Sequence, residues 1–490
     1  LGALAVARAL AGGEPALAGQ LLALDLATLQ TTAHAVVRRP QCATCGDPAS
    51  MIAVGERPIE LQPVAKAHVD DGGYRRQSPR RTFERYRHLV SPITGAVTHL
   101  VPMPDHDTEL RAVYASGYLV RPRGVTDRNV FDKPCAGKGR SADQARVSAL
   151  CEALERFSGV YQGDEARVRA SARELGAAAL APGELQLFSD AQYRTREVHN
   201  AREPDARRQV PAPLDPATPI DWTPAWSLGQ RARRYVPLAY CYAEAPAETG
   251  TAFVGPCSNG VAAGTCLEEA VLQGLLELVE RDAAAVWWYN RLARPAIDLD
   301  GFADPYFAAL RADYARLGWT IWVLDLTHDL GIATCAALAH EPRADRFAIG
   351  FGCHLDPQLA VSRALTELNQ LFDPAGTRRA PWEVDRLADR AYLFPRPDRP
   401  PVRLPRIHGA DLRADIEQCT RRLAELGLDV VVVDKTRPDI GLSVAQVIVP
   451  GLRHFWPRFA PGRLYEVPCA LSWLAHPLAE RELNPVPLFV

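Results

Sequence analysis

Apolar and polar positions separate onto two faces in residues 265–281, TCLEEAVLQGLLELVER. Read as a helix, this segment has an apolar stripe on one side, formed by Val271, Leu272, Leu275, Leu276 and Val279. The opposite side, an arc of roughly 120°, carries Glu269, Gln273, Glu277, Glu280 and, at its edge, Arg281. An acidic ladder without interleaved lysines is not the usual face of i,i+4 salt bridges, so we expect a cation to neutralise it.

The starts of two helices are predicted by capping signals. Thr265 and Glu268 fit an S/T-x-x-E capping box at the start of the segment above, and Ser141 with Gln144 fits a second one. The second predicted helix lies within CAGKGRSADQARVSALCEALERFSG. Trp287, Trp288 and Tyr289, which follow the first segment, are apolar enough to be read as core.

Strand-like and helical segments alternate from Leu89 onward, with no solenoid repeat, which predicts the α/β class. The predicted strands are SPITGAVTHLVP, VYASGYLVRP and LDVVVVD, the last at 428–434 in a sheet covered on both faces. Before them we expect a helix, a Gly-Gly break and short strands at LLALDL and HAVVRR. Residues 56–87 contain proline and many arginines and read as an irregular linker with a basic helix start.

The second predicted helix ends in the same motif as the first, E-x-x-E-R. The motif is Glu152, Glu155 and Arg156 at the end of the second predicted helix. It is Glu277, Glu280 and Arg281 at the end of the first. Carboxylates at i and i+3 project side by side, and two such pairs facing each other would form an oxygen-rich site of the kind that Mg²⁺ prefers when it bridges to phosphates. The arginines can bind phosphate or hold the carboxylates. A structural acidic network is the alternative interpretation.

No other sequence motif indicates a different kind of catalytic or binding site. Gly137, Gly139 and Ala142 match G-x-G-x-x-A only superficially, and Walker A fails because Asp132 stands at its first glycine. Lys138 could bind phosphate or lie in a flexible surface turn. No G-x-S-x-G or H-E-x-x-H occurs. Cys151 and Cys266 lie inside the motif helices and favour a packing role over that of a nucleophile.

Composition narrows the function classes. The chain has 490 residues, 47% of them hydrophobic and 23% charged, with a net charge of -2, which indicates a globular protein without a nucleic-acid or acidic-lipid footprint. Eleven cysteines without a regular framework favour a reducing compartment, and we expect a cytoplasmic protein. No apolar run approaches the ~18 residues that a membrane span needs.

Cys42 and Cys45 form a C-x-x-C before Gly46, a spacing that suits two zinc ligands, a redox pair or a simple turn. No second C-x-x-C follows, so a zinc site would need a pair from elsewhere. Because the chain begins with Leu1 rather than methionine, we expect it to be the C-terminal piece of a longer protein, with the missing pair upstream.

The two motif segments resemble the signature segments of the YcaO family. HLDPQLAVSRALTELNQ resembles the family's later helix, PGLRHFWPRFAPGRLYEVP resembles its closing region, and the similarity runs from about residue 88 to the end. The resemblance implies an α/β fold with mixed sheets and ATP bound between helices. It implies Mg²⁺ ligands at Glu152, Glu155, Glu277 and Glu280, and nucleotide contacts at Thr265, Glu269, Gln273, Arg281 and Arg363, with Glu367 as a further candidate one turn beyond Arg363.

The implied reaction is an ATP-dependent cyclodehydration of a ribosomally made precursor peptide. A Cys, Ser or Thr side chain attacks the preceding carbonyl, ATP phosphorylates the resulting oxygen, and loss of phosphate leaves a thiazoline or oxazoline. A YcaO enzyme that forms thioamides or amidines, and a non-catalytic scaffold that binds leader peptides, are the alternatives. The resemblance gives no separate catalytic side chain.

Residues 1–47 resemble the tail of a ThiF-type (ubiquitin-activating-like) domain, with Ala43 where the family's knuckle has proline. We therefore expect a ThiF remnant at 1–55, a linker at 56–87, a YcaO domain at 88–480 and a tail at 481–490. Expected partners are the precursor peptide, a ThiF-type leader-binding protein or domain, a flavin-dependent azoline dehydrogenase and a second copy of the chain, without nucleic acid or membrane. The tail resembles the P-x-P-x-P ending of azoline-forming members, but Phe489 takes the place of the third proline after Pro485 and Pro487. A solvated tail is the alternative.

Overall fold

The computed structural model describes residues 7, 11, 19–103, 110–119, 133–204, 208–374, 384–404 and 406–488. Its strands are β1 (Gln20–Leu24), β2 (Thr31–Ala35), β3 (His68–Asp70), β4 (Gly73–Arg75), β5 (Val97–Pro102), β6 (Ala112–Tyr118), β7 (Lys133–Gly139), β8 (Val168–Ser171), β9 (Pro219–Ser227), β10 (Ala232–Pro237), β11 (Val261–Gly264), β12 (Thr320–Asp325), β13 (Thr334–Glu341), β14 (Arg346–Cys353), β15 (Val431–Asp434) and β16 (Ser443–Ile448).

The helices alternate with these strands, as expected for the α/β class. They are α1 (Ala49–Glu56), α2 (Pro79–Tyr86), α3 (Ala142–Ser158), α4 (Ala172–Leu175), α5 (Pro182–Gln186), α6 (Asp190–Arg194), α7 (Arg196–Asn200), α8 (Leu238–Cys241), α9 (Leu267–Asn290), α10 (Pro305–Arg316), α11 (Pro357–Leu371), α12 (Leu412–Glu425) and α13 (Arg463–Ala470). The predicted N-terminal helix falls almost entirely outside the described residues.

Three helix-on-sheet units surround the centre of the molecule. Helix α3 packs on the sheet β5-β6-β7, α9 packs on β16 and β11 at one end of a six-stranded sheet, and α11 packs on the sheet β12-β13-β14. Each helix also touches a strand of the next unit: α3 contacts β11, α9 contacts β14, and α11 contacts β7. This cyclic packing brings the polar faces of three helices together.

The strand ladders among the described residues are antiparallel, and parallel geometry occurs there only at isolated bridges such as Val90–Val97. The predicted valine strand is β15, between β9 and β16. Its alternate valines pack in two different clusters, Val432 in that of α9 and Val431 with Val433 in that of α8. The prediction of a strand covered on both faces is confirmed.

Glycines let helices α3 and α11 approach their strands closely. A methyl group at Gly137 in β7 would lie 1.9 Å from the backbone nitrogen of Ala149, and one at Gly350 in β14 would lie 2.2 Å from that of Leu368. The glycines of the GKG segment therefore belong to a strand packed against α3, and neither a Rossmann turn nor a surface turn is present there.

Residues 56–87 were expected to be an irregular linker with a basic helix start. The helix start is confirmed by α2, but the segment as a whole is not an irregular linker. The segment contains β3, β4 and α2, and its Ile59 and Tyr74 are buried in the cluster that includes the apolar face of α9. Lys66 forms a salt bridge with the buried Asp415 on α12. Short-range sequence patterns missed β3 and β4 because each strand is only three residues long and is stabilised by distant contacts.

The apolar face of α9 is buried as predicted. Val271, Leu272, Leu275, Leu276 and Val279 pack in one core cluster, and Trp287, Trp288 and Tyr289 are buried in another. The helix continues through this aromatic segment to Asn290, well beyond the predicted end at Arg281. No helix among the described residues is long and apolar enough to cross a membrane.

Candidate functional site

A cavity of about 350 Å³ lies between the polar faces of α3, α9 and α11. The residues predicted to bind nucleotide or metal on these helices, together with Thr265 just before α9, all line this cavity. They are Glu152, Glu155, Thr265, Glu269, Gln273, Glu277, Glu280, Arg281 and Arg363. The polar residues spaced by four, four and three along α9 therefore form one wall of a single concave site.

The first E-x-x-E-R lies in the last turns of α3. The Ser141 hydroxyl accepts a hydrogen bond from the backbone N–H of Gln144, so the predicted cap sets the start of this helix. Arg156 Nε donates to Glu152 Oε1 at 2.8 Å. Glu155 is buried, and burial followed by the neighbouring charge of Glu152 raises the pKa of its carboxyl well above the usual range, although Arg156 acts in the opposite direction.

The second E-x-x-E-R lies in the middle of α9. Arg281 Nη1 donates to Glu280 Oε1 at 2.9 Å, and Arg281 Nη2 lies 3.5 Å from Glu277 Oε1. Burial raises the pKa of Glu277 to about 7, with the charges of Glu280 and Glu152 adding to this shift and those of Arg281 and Arg156 opposing it. Burial also raises the pKa of Glu280. A bound cation would therefore stabilise the charged forms of these carboxylates.

The third wall is α11, whose start is capped by Asp356 accepting from the N–H of Gln358. Arg363 and Glu367 of this helix line the cavity. Glu367 forms a salt bridge with Lys138 of β7, and the charges of Lys138 and Arg281 overcome burial to lower the pKa of Glu367. Lys138 thus lines the cavity from a strand, and of its two alternative interpretations the flexible surface turn is wrong.

The predicted capping box at Thr265 and Glu268 is also wrong. Cys266 is the N-cap of α9, and no side chain caps the helix there. The Thr265 hydroxyl and backbone N–H instead donate to Glu269, at 3.0 and 2.7 Å. Glu268 accepts from the backbone N–H of Gln62. Only Glu268 has the capping-box spacing from Thr265, but the distant partner Gln62 takes its carboxylate, and Thr265 donates to Glu269 instead.

A fourth wall, formed by residues 71–82, was missed from the sequence. Asp71, Arg75, Gln77 and Thr82 line the cavity, and the backbone N–H of Arg76 donates to Glu269 Oε1 at 2.5 Å. Burial raises the pKa of Asp71 to about 6, although the N–H of Arg140 donates to it. The arginine-rich composition of this segment was the available signal, but it did not indicate which element the arginines would join.

The carboxylates share the cavity without forming a compact ligand cluster. Among the described residues, no three His, Cys, Asp or Glu side chains converge as a metal-binding group. Glu152 on α3 and both glutamates on α9 instead form salt bridges with arginines of their own helices. Such an arrangement suits an ion that takes one or two carboxylates at a time and completes its shell with phosphate and water oxygens.

Cys42 and Cys45 lie outside this cavity, exposed, with their sulfurs 3.6 Å apart. No third potential ligand joins them in the part of the chain that the structure describes. Cys151 lines the cavity, and burial raises the pKa values of both Cys151 and Cys266 to about 12. Thiols this weakly acidic are poor nucleophiles, as expected.

The C-terminal tail is anchored in the core, and the solvated-tail interpretation is wrong for its described residues. Val486 and Leu488 are buried, and Trp288 Nε1 donates to the carbonyl of Val486 at 2.7 Å. Asn484 is also buried and donates to the hydroxyl of Tyr392. Phe489, which departs from the P-x-P-x-P pattern, lies outside the described residues.

Comparison with protein families gives a match over residues 136–453 to the model described as YcaO cyclodehydratase, ATP- and Mg²⁺-binding. An uncharacterised protein of Methanothermobacter thermautotrophicus is 30% identical over 341 residues, which cover 65% of this chain and 82% of that protein. An uncharacterised protein from the tfuA 3′ region of Rhizobium leguminosarum bv. trifolii is 30% identical over 358 residues, covering 68% and 79%.

Solved structures resemble a larger part of the chain. A heterocyclase in complex with substrate and cofactor is 41% identical with a TM-score of 0.89, and covers 98% of this chain. The heterocyclase TruD is 38% identical with a TM-score of 0.78, and covers 99% of this chain. The chain spans 66% and 63% of those two chains. YcaO from Methanopyrus kandleri, bound with AMPPCP and Mg²⁺, is 23% identical over 80% of this chain with a TM-score of 0.57, and shares the fold.

Proposed function

Because this chain belongs to the YcaO family, we propose that it is an ATP-dependent cyclodehydratase that forms thiazolines or oxazolines in a ribosomally made precursor peptide. The observation that carries the proposal is the single cavity that both E-x-x-E-R segments and α11 line. The similarity to two heterocyclases, at 41% and 38% identity, supports the same reaction class.

The residues of the cavity fit ATP and Mg²⁺, which the family binds. Glu152, Glu155, Glu277 and Glu280 supply the hard carboxylate oxygens that Mg²⁺ prefers. The Nε atoms of Arg281 and Arg363 are buried and make no hydrogen bond within the described part of the chain, so both side chains retain a donor for phosphate oxygens. ATP supplies the phosphoryl group that makes the amide oxygen a leaving group.

The chain's own residues would act mainly by position and charge. In phosphoryl transfer the protein's task is to align the partners and neutralise the developing charge. We assign metal binding to the four glutamates, phosphate contacts to Arg281 and Arg363, and the nucleotide pocket to Thr265 and Gln273. Glu269 was predicted as a nucleotide contact, but its carboxylate already accepts from Thr265 and from the N–H of Arg76. We propose that it holds the pocket's wall together.

We expect the affinity for Mg-nucleotide to rise with pH between about 6 and 8. Burial places the pKa of Glu277 at about 7 in the free protein, and a divalent cation binds only the deprotonated carboxylate. Binding therefore releases a proton below that pKa, so the affinity should rise by up to tenfold, on the order of one log unit, for each pH unit there. Isothermal titration calorimetry in buffers of different ionisation enthalpy would measure the protons released.

The matched control is Glu277→Gln, which cannot titrate. The pH dependence of Mg-nucleotide affinity should be smaller in this variant than in the wild type. An equally steep dependence in both proteins would show that the released proton comes from another group.

Incubation with a candidate peptide, ATP and Mg²⁺, followed by mass spectrometry, tests the reaction. Loss of one water per modified residue, together with ADP and phosphate, supports cyclodehydration. In a parallel incubation with added sulfide, replacement of an oxygen by sulfur would indicate the thioamide-forming alternative. Peptide binding without any ATP turnover would indicate the non-catalytic scaffold, against which the intact glutamate set argues.

A partner protein is supported by the apolar surface of the β1–β2 hairpin. Leu26 and Leu29 in its turn are 80% and 74% exposed, and Leu22 and Leu24 of β1 are also exposed. Two-stranded sheets with this much uncovered apolar surface are marginal alone. We propose that a ThiF-type leader-binding protein or domain covers this surface. Cys42 and Cys45 would then be half of a structural zinc site completed by that partner.

The remaining assignments follow from the family and stay proposals. We propose the precursor peptide as substrate, a homodimer as the assembly, and a flavin-dependent azoline dehydrogenase as a later partner that oxidises the rings. We also propose that the chain divides into a ThiF remnant at 1–55, a YcaO domain at 88–480 and a tail at 481–490. Because residues 56–87 form part of the cavity wall, we assign them to the catalytic unit.

A further inference from the structure

The guanidinium of Arg281 is only partly held by carboxylates. Its Nη atoms contact Glu280 and Glu277, whereas its Nε is buried without a hydrogen-bond acceptor in the described part of the chain. If these two glutamates bind Mg²⁺, as the proposed function requires, their contacts with Arg281 are lost. Another group must then hold the guanidinium in position.

Phe455 is that group. The Cζ atom of Arg281 lies 4.7 Å from the centroid of the Phe455 ring, and the ring is buried. A cation over an aromatic face at this distance is attracted by the ring quadrupole, more strongly where water is excluded. The cation lies over the ring, while its Nη atoms contact Glu280 and Glu277. The sequence motif gives no sign of this contact, because 174 positions separate the two residues.

The ring is fixed by its own segment, independently of the glutamates. The backbone N–H of Arg453 donates to Asp282 Oδ1 at 2.7 Å, and the hydroxyl of Tyr289 donates to the carbonyl of Phe455 at 2.7 Å. Asp282 and Tyr289 belong to α9, the helix that carries Arg281.

His454 fixes the same segment to other parts of the fold. Its Nδ1 lies 3.1 Å from Nδ2 of Asn259, and its Nε2 lies 2.8 Å from the carbonyl of Leu185. Three consecutive residues therefore have separate anchors, so the ring stays in place when the polar partners of Arg281 change.

We propose that Phe455 is a positioning residue that holds the Arg281 guanidinium for phosphate binding once the glutamates ligate Mg²⁺. The proposal rests on the proposed function, since Arg281 must contact phosphate for the ring to matter. The residue acts through Arg281 and touches no reacting atom.

The test separates the aromatic face from apolar packing. Phe455→Leu keeps an apolar side chain of similar size but removes the ring face, whereas Phe455→Trp keeps a face. We expect Leu to weaken binding of AMPPCP with Mg²⁺ by about tenfold, the strength of a desolvated cation–π contact, and Trp to change it by less than about twofold. Calorimetry measures the dissociation constants without any turnover.

A double-mutant cycle gives a readout that a merely structural role would not produce. In an Arg281→Met background, Phe455→Leu should weaken binding of AMPPCP with Mg²⁺ by less than about twofold, because the cation is already gone. If Phe455→Leu does not fold, pentafluorophenylalanine at position 455 replaces it, since this keeps the ring's shape and removes its negative face.

The outcomes are separable. Wild-type binding of AMPPCP with Mg²⁺ and unchanged binding by Phe455→Leu would overturn this inference alone. An equal loss in the wild-type and Arg281→Met backgrounds would also overturn it, by showing general destabilisation. No binding by the wild-type protein would overturn the proposed function and this inference with it.

Discussion

Replacing Glu277 and Glu280 together with glutamine is expected to lower ATP turnover at least about 1,000-fold, since metal neutralisation of the transferring phosphoryl group is worth several kcal/mol. Glutamine keeps the shape of glutamate but gives Mg²⁺ a much weaker ligand. Both residues line the cavity on the same face of α9, and Arg281 would remain beside them. Peptide-dependent ADP formation, followed with a coupled assay, measures the loss.

The same variant should fold normally. The pKa values of Glu277 and Glu280 are raised even with Arg281 beside them, so folding disfavours their charged forms in spite of the two salt bridges. Removing both charges should therefore not lower the free energy of unfolding above pH 7. Glu84→Gln with Glu417→Gln is a matched control, because these glutamates lie on exposed faces of α2 and α12. Retained peptide-dependent ADP formation in the Glu277/Glu280 variant would refute the assignment of the metal site.

Replacing Arg463 with methionine is expected to cost about 3–5 kcal/mol of unfolding free energy, the usual penalty for leaving a buried charge unpaired. Asp282 follows Arg281 in α9 and is completely buried. Arg463 Nη2 donates to Asp282 Oδ2 at 2.6 Å and to Asp329 Oδ1 at 2.8 Å. His328 Nε2 lies 3.0 Å from Asp282 as well. Urea titration at pH 7 measures the change.

The sign of the pH dependence follows from the pKa of Asp282. Burial alone would raise this pKa, but Arg463 and His328 lower it below the usual range. A carboxyl with a lowered folded pKa stabilises the fold above its unfolded pKa, about 4, and this contribution is lost as pH falls below that value. Arg463→Met should therefore lose most stability at neutral pH and less in acid.

Two further variants check the cause. Asp282→Asn combined with Arg463→Met should be more stable than Arg463→Met alone, because no buried charge remains. Arg311→Met is the surface control: its partner Asp300 is exposed, and such pairs are worth about 0–1 kcal/mol. A loss for Arg463→Met no larger than that for Arg311→Met would contradict the prediction.

The candidate site was predictable from the sequence to the extent that it depends on helical periodicity. Glu269, Gln273, Glu277 and Glu280 share a face because of their spacing alone, and the structure places them on one wall of one cavity. The repeated E-x-x-E-R indicated that α3 should supply the opposite wall. The α/β class and the buried valine strand followed in the same way from local pattern.

Contacts between distant segments could not be predicted in this way. Local pattern assigned Thr265 and Glu268 to a helix cap. In the structure, the N–H of Gln62 donates to Glu268 and that of Arg76 donates to Glu269, and Glu268 takes no part in a cap. Residues 56–87 looked like a linker because their short elements are stabilised by the core around α9. The sequence left Lys138 open between a phosphate contact and a surface turn, and its salt bridge with Glu367 of α11 excludes the surface turn.

The sequence by itself determined the acidic faces, the helices that carry them and the family resemblance, because these depend on residues within a few turns of one another. Only the tertiary structure decided that segment 71–82 closes the cavity and that Phe455 covers Arg281. The physical reason is that such contacts join residues far apart along the chain. Their partners are chosen by the packing of three helix-on-sheet units, which no local pattern encodes.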